Sequence, residues 1–238
     1  GSGHTILTND GPTYGGITAP TTPLTAVTNT ELLTLTESEP NNITNGSYYF
    51  SSTSNHHLRS GTSSDFTLGV ATDFTVEFWY KFPSSISASG YLFDMGANTF
   101  VVQMFSSNTK IGTWGTGGTI IQGNSNVGVS IGVWHHIVAQ RSGNVHTLYI
   151  NGQLQSSKTD SGNVHNFQGT SITLNNYGGN GNYGQQVYLS DFRFVKGTVV
   201  YSGNFTPPSG PLTKTGGTYP SNTNVNTSIP SGHTKLLT

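Results

Sequence analysis

The chain has 238 residues, in which nine Lys and Arg against ten Asp and Glu leave a net charge of -1 with no basic run, a balance that speaks against binding to a phosphate backbone. Without cysteine there is neither a disulfide framework nor a thiolate metal site, and no apolar run approaches the roughly 20 residues of a membrane helix. Only 8% of residues are charged, yet 12 Phe, 11 Tyr and 3 Trp supply enough large side chains for the core of one all-β domain.

Residues 1–29 are rich in Gly, Thr and Pro, show no sustained periodicity and read as an extended arm. From Thr30 the stretch TELLTLTES becomes strand-like, and a polar turn over 41–46 leads into Tyr48-Tyr49-Phe50. The stretch SDFTLGVATDFTVEFWYKF then sets Phe74, Val76, Phe78, Tyr80 and Phe82 against Thr75, Glu77, Trp79 and Lys81, the period of a long central strand. Shorter strands are predicted over 91–95, 100–105, 110–114 and 119–122, separated by Gly, Ser and Asn turns. The run WHHIVAQRSGNVHTLYINGQL, residues 134–154, reads as a β-meander. Its Asn151-Gly152 step is a strong hairpin signal, because a type I′ turn needs positive φ at both central residues. Period two puts His146, Leu148 and Ile150 on one face, taken as core, and Val145, Thr147 and Tyr149 on the other. A short strand over 171–174, a loop of Gly, Asn and Tyr over 175–186, and an alternating strand over 187–196 complete the pattern. The expectation is two antiparallel sheets over about 30–205 with almost no helix, burying Phe78, Trp134, Leu148, Ile150 and Phe192 between them or at their edges.

The run from Trp134 through LYING closely resembles the central signature of laminin-G-like domains, and DFTVEFWYK resembles that family's long strand almost residue for residue. The stretch from Phe50 to Leu58 is similar to the family's tight hairpin, with Asn55 in place of the commoner acid. The segment VYLSDFRFVKGTVVYSGNFTPPSGPLT resembles the close of laminin-G-like repeats in virion proteins of tailed phages, particularly marine ones. The resemblance implies a concanavalin A-like jelly roll: an all-β, two-sheet antiparallel sandwich over 30–206, flanked by a Pro/Thr/Gly-rich arm over 1–29 and a second arm over 207–238 with a terminal strand. It further implies a non-enzymatic virion structural, decoration or fibre protein, made in the host cytoplasm and displayed on the virion surface. The alternative is a lectin-type module for a host or environmental polysaccharide, with neither nucleic acid nor membrane as partner.

Weak repeats link the ends: Ser2-Gly3-His4-Thr5 is echoed by Ser231-Gly232-His233-Thr234, and Pro23-Leu24-Thr25 by Pro211-Leu212-Thr213. They predict a tandem array or arms that reach copies of the chain, or other virion proteins, by adding a strand; the competing picture is that both arms fold back on the same sandwich and cap its edges.

Candidate chemistry is sparse. Jelly-roll glucanases carry E-x-D-x-x-E on one strand, whereas Glu77 has no acid at i+2 or i+4, and Asp73, four residues earlier at about 3.3 Å per residue, is too distant. Adjacent histidines on a strand face opposite ways, so His56-His57 and His135-His136 each predict one core and one exposed ring rather than a chelate. By resemblance to the glucanases Asp191 would hold a structural Ca2+, with Asn55 nearby; the alternative is a hydrogen bond to a backbone N–H, Arg59 or Arg193. The loop over 175–186 and the hairpin with His56 and His57 form the candidate sugar surface, Tyr177 and Tyr183 stacking while Asn180 and Asn182 hydrogen-bond. A plain connector, with Gly and Asn serving only positive φ, is the competing account of that loop.

Overall fold

The period-two pattern becomes strands in the computed structural model, which describes residues 34–35, 47–51, 56–82, 90–96, 99–105, 110–116, 118–121, 129–162, 165–178 and 184–238. In chain order these are β1 (Thr34–Leu35), β2 (Tyr48–Phe50), β3 (Leu58–Arg59), β4 (Phe74–Lys81), β5 (Gly90–Met95), β6 (Phe100–Phe105) and β7 (Lys110–Gly115). There follow β8 (Gly118–Ile121), β9 (Trp134–Ser142), β10 (Val145–Ile150), β11 (Gln153–Thr159), β12 (Ile172–Leu174), β13 (Val187–Lys196) and β14 (Thr234–Leu237). A 3-10 turn at Ser64–Phe66 is the one helical element among the described residues. The arm expected over 1–29 lies outside the described residues.

One sheet runs β1-β3-β12-β5-β6-β7-β8; the other runs β11-β10-β9-β4-β13-β14, with β2 also on β13. All the pairings are antiparallel, and the meander of β9, β10 and β11 turns at the predicted Asn151-Gly152, whose φ values of 50° and 75° are those the hairpin demands. The inner faces meet in one core, where Phe192 stacks with Phe78 of its own sheet at 6.3 Å and with Phe93 of the other at 5.9 Å between ring centroids. Leu148 and Ile150 lie in that core as their alternation required.

The outer face of the β4–β9–β13 sheet decides where a site can lie. Residues directly opposite in antiparallel strands share a face, so the register writes rows across it. The first row is Tyr49, Tyr188, Lys81 and Trp134, the second is Ser190, Trp79 and His136, and the third is Arg193, Glu77, Val138 and Tyr149. After β13 the chain crosses back over the third row, where Val200, Tyr201, Phe205 and Ile229 pack with Val138, Tyr149 and Val195 in a second apolar cluster.

Three expectations are corrected by this arrangement. Trp134 is half-exposed on the outer face rather than buried between the sheets or at their edges, because it pairs with outward-facing Lys81. His135 and His136 are both buried, one inward and one beneath the returning chain, since β9 is central and covered on each side. The C-terminal stretch read as an outward-reaching arm lies back on its own domain, β14 pairing with β13 from Arg193 to Val195.

Candidate functional site

Glu77 faces outward from β4 yet has no exposure, and three side chains meet its carboxylate. Arg193 donates through Nε and Nη2 to Oε1 at 2.8 and 2.6 Å, the Tyr201 hydroxyl donates to Oε2 at 2.6 Å, and His136 Nε2 lies 3.1 Å from Oε2. Burial by itself raises the carboxyl pKa, but Arg193, with His136 and Tyr201, outweighs it and holds the group down at about 2. The same guanidinium donates to the Thr213 carbonyl at 2.9 Å, to the Gly216 carbonyl, and to the Tyr219 hydroxyl at 3.2 Å. This cluster therefore fastens the returning chain to the sheet. A buried carboxylate kept ionised by a fixed cation neither donates a proton near neutral pH nor reaches a substrate, so it cannot serve as a glycosidase acid.

Beyond the returning chain the first row stays half-exposed, as do Trp79 and Ser190 of the second, while His136 is buried. Tyr49 stacks on Tyr188 at 4.6 Å, Trp134 meets Tyr188 edge-on at 6.4 Å, and the Lys81 ammonium lies 5.0 Å from the Tyr188 ring centre and 5.5 Å from that of Trp134. Beside them a cleft of about 330 Å³ runs between Trp79 and Trp134 on one side and the Pro208–Pro211 turn on the other, with Ser190 and Asp191 at its floor. A second opening of about 620 Å³, between β9–β10 and the returning chain, is larger but is lined mainly by aliphatic, hydroxyl and amide groups and offers no unpaired charge. The smaller cleft has the chemistry of a recognition site, flat rings and a carboxylate, and its Trp134 also carries the Lys81 ammonium just outside the cleft.

Asp191 reaches the cleft through a β-bulge. Between Ser190 and Arg193 the chain spends two residues opposite one of β4, and Asp191 takes a φ of 48°. A non-glycine residue there carries backbone strain on the order of 1–3 kcal/mol, a cost that clusters at functional positions. Its Oδ2 accepts from the Ser190 hydroxyl at 3.2 Å. The arginines considered as partners go elsewhere, Arg193 to Glu77 and Arg59 to the Gly178 carbonyl at 3.0 Å. Among the described residues no cluster of three or more metal-ligating side chains occurs, and Asn55 lies outside them. A Ca2+ at Asp191 would therefore draw most of its six to eight oxygens from other groups.

The loop over 175–186 is divided. Asn180, Asn182 and Tyr183 lie outside the described residues, whereas Tyr177 is half-buried and packs on Tyr91 at 5.5 Å. Asn175 pins the loop's base: fully buried at a φ of 63°, it accepts from the Tyr80 hydroxyl and the Gln185 N–H, both at 3.0 Å, and donates to the His56 carbonyl at 3.1 Å. The structure thus joins the two predicted surfaces, loop and hairpin, through a structural amide. His56 Nδ1 contacts the Ser51 hydroxyl at 3.1 Å, and His57 is half-buried. Sequence reasoning missed Trp79, Trp134, Lys81 and Tyr188 as a set. Alternation had placed Trp79 and Lys81 together, but the strand partners that complete the row are distant in sequence.

The model of the concanavalin A-like lectin/glucanases superfamily, in its laminin-G form, matches residues 52–200. No curated protein matches the chain. Among solved structures the chain is similar to a heptameric SAP-like pentraxin from Limulus polyphemus, at 21% identity and a TM-score of 0.46 over 58% of this chain and 68% of that one. It is also similar to the binding domain of Paraclostridial Mosquitocidal Protein 1, at 18% identity and a TM-score of 0.47 over 64% of this chain and 43% of that one. The binding domain of botulinum neurotoxin serotype G follows at 16% identity and a TM-score of 0.46, covering 65% of this chain and 40% of that one. With the family model spanning well over half of its length, including the paired strands β4, β9 and β13, the chain belongs to the laminin-G-like branch of the concanavalin A-like lectin/glucanase superfamily.

Proposed function

We propose that this domain is a non-enzymatic recognition module that binds a polysaccharide in the cleft beside Trp79 and Trp134, and that it is displayed by a virion structural or fibre protein. The observation that carries the reading is the half-exposed aromatic row with its floor of Ser190 and Asp191. Indole and phenol faces pack against the C–H faces of pyranose rings, and a few fixed polar groups then set orientation. The virion setting is supported by the resemblance of the segment that closes over Glu77 to the closing segment of phage laminin-G-like repeats.

A glycan array spanning bacterial surface and marine polysaccharides tests it. Binding that Trp79→Ala and Trp134→Ala each abolish, while Tyr177→Ala leaves it intact, supports the cleft. Binding that depends on Tyr177 instead returns the site to the loop over 175–186. Silence of the folded protein across the array leaves a purely structural role in the particle.

A further inference from the structure

Lys81 is held unlike six other described cations. Arg59, Arg141, Lys158, Arg193, Lys196 and Lys235 each donate to a protein oxygen, whether carbonyl or carboxylate. Among the described residues Lys81 instead meets the ring faces of Trp134 and Tyr188, with no carboxylate within ion-pair distance. Two rings about an ammonium remove part of its water and restrict its rotamers while leaving its N–H donors without acceptors among the described residues. The entropy of ordering a lysine is thus met before a ligand arrives, which is what preorganisation for an anion requires.

We infer that the ligand of this cleft is an acidic polysaccharide, whose carboxylate or sulfate sits on the Lys81 ammonium while its sugar rings lie along Trp134 and Trp79. The inference rests on the recognition role proposed above and adds the ligand's charge and direction. Asp191 supplies the direction. Its carboxylate, beside the next row of the same surface, repels an anionic substituent and accepts from hydroxyls, so the acidic group points to the row of Tyr188, Lys81 and Trp134 and the neutral hydroxyl edge to the Pro208–Pro211 side. The selection is local, because a chain of net charge -1 exerts no long-range pull on a polyanion. With one cation engaged, the salt dependence of binding should be shallow.

Binding is measured by titration calorimetry against matched pairs: polygalacturonate and its fully methyl-esterified form, alginate and its carboxyl-reduced form, and carrageenan and its desulfated form. The expected result is affinity for at least one acidic member, a loss of tenfold or more in its neutral counterpart, and a similar loss in Lys81→Gln with the melting temperature unchanged. Lys81→Arg, which keeps the charge, should retain most of the affinity. Equal binding of both members of a pair, indifferent to Lys81→Gln but lost in Trp79→Ala, overturns the acidic class while leaving glycan recognition standing. No binding to any member by the folded protein overturns both. Binding of phosphatidylcholine or phosphatidylserine vesicles that Trp134→Ala removes, without polysaccharide binding, assigns the surface to lipid and likewise overturns the inference.

Discussion

Replacing Arg193 by methionine should be among the most costly single changes in the domain. Arg193 has no exposure, and its guanidinium is the main counter-charge of a carboxylate that also has none. Glu77 ionises at about 2 instead of 4.5, a difference worth about 3 kcal/mol at roughly 1.4 kcal/mol per pH unit. The Met side chain preserves volume but leaves Glu77 charged against burial, so the loss is expected at about 3–5 kcal/mol, the range for breaking one partner of a buried pair. Because the folded-state pKa of Glu77 is depressed, its contribution is complete above about pH 4.5 and is lost as pH falls through about 2. In Arg193→Met the sign reverses: burial now raises that pKa, and mild acid should partly rescue the variant. The double variant Glu77→Leu/Arg193→Met removes both charges and should recover much of the loss, giving a coupling energy of a few kcal/mol in a double-mutant cycle. Urea melts followed by tryptophan fluorescence near pH 7 and pH 4 measure all four proteins. An Arg193→Met variant within about 1 kcal/mol of the parent refutes the reasoning, as do single losses that merely add in the double variant.

Acid sensitivity in the physiological range should come from His146 instead. Burial, then Arg141 and His165, lowers its pKa from 6.5 to about 4, so stability present above 6.5 is lost as pH falls towards 4, by about 2 kcal/mol at roughly pH 5; His146→Leu should flatten that part of the melting-temperature profile, and an unchanged slope counts against it. Gly152→Ala should destabilise by about 2 kcal/mol or more, since Gly152 has a φ of 75° and a Cβ there would strike the Phe205 carbonyl; a variant with parental stability and unchanged hydrogen exchange over 200–206 contradicts it. A Ca2+ proposed on Asp191 and Asn55 predicts a melting temperature that rises with millimolar CaCl2 and returns with EDTA, both effects lost in Asp191→Ala; superimposable curves retire the ion.

The strands were legible because alternation is a short-range signal. Phe74, Val76 and Phe78 mark their face without help from the rest of the chain, and Asn151-Gly152 fixes a turn through its own backbone requirements. Parity also contained an unused correction. Counting back by two from inward Ala139 places Ile137 and His135 inside, so Trp134 and His136 must face outward. The Glu77–Arg193 pair was not legible. Its partners are 116 residues apart, and their register depends on a bulge at Asp191 that no local pattern announces. Nor did alternation reveal that the outer face is itself covered, because Tyr201 and Phe205 lie in a segment without strand periodicity and acquire their role only by crossing back over Val138 and Tyr149.

That crossing ties the cleft to the buried network. The wall opposite Trp79 is the Pro208–Pro211 turn, and the next anchors along the chain are the Thr213 and Gly216 carbonyls, both held by Arg193. Proline restricts φ in the turn but donates no N–H, and the Ser209 N–H goes to the Thr218 carbonyl at 2.9 Å within the returning chain rather than to the sheet, so the turn's position on the sheet depends on anchors on either side. The Phe205 N–H donates to the Gly152 carbonyl at 2.9 Å on one side, and Arg193 acts on the other. Loss of the Arg193 anchor should therefore widen the cleft before the sandwich unfolds. Ligand affinity in Arg193→Met should fall further than the folded fraction alone explains, and hydrogen exchange should rise over 207–219 while β4 and β9 remain protected.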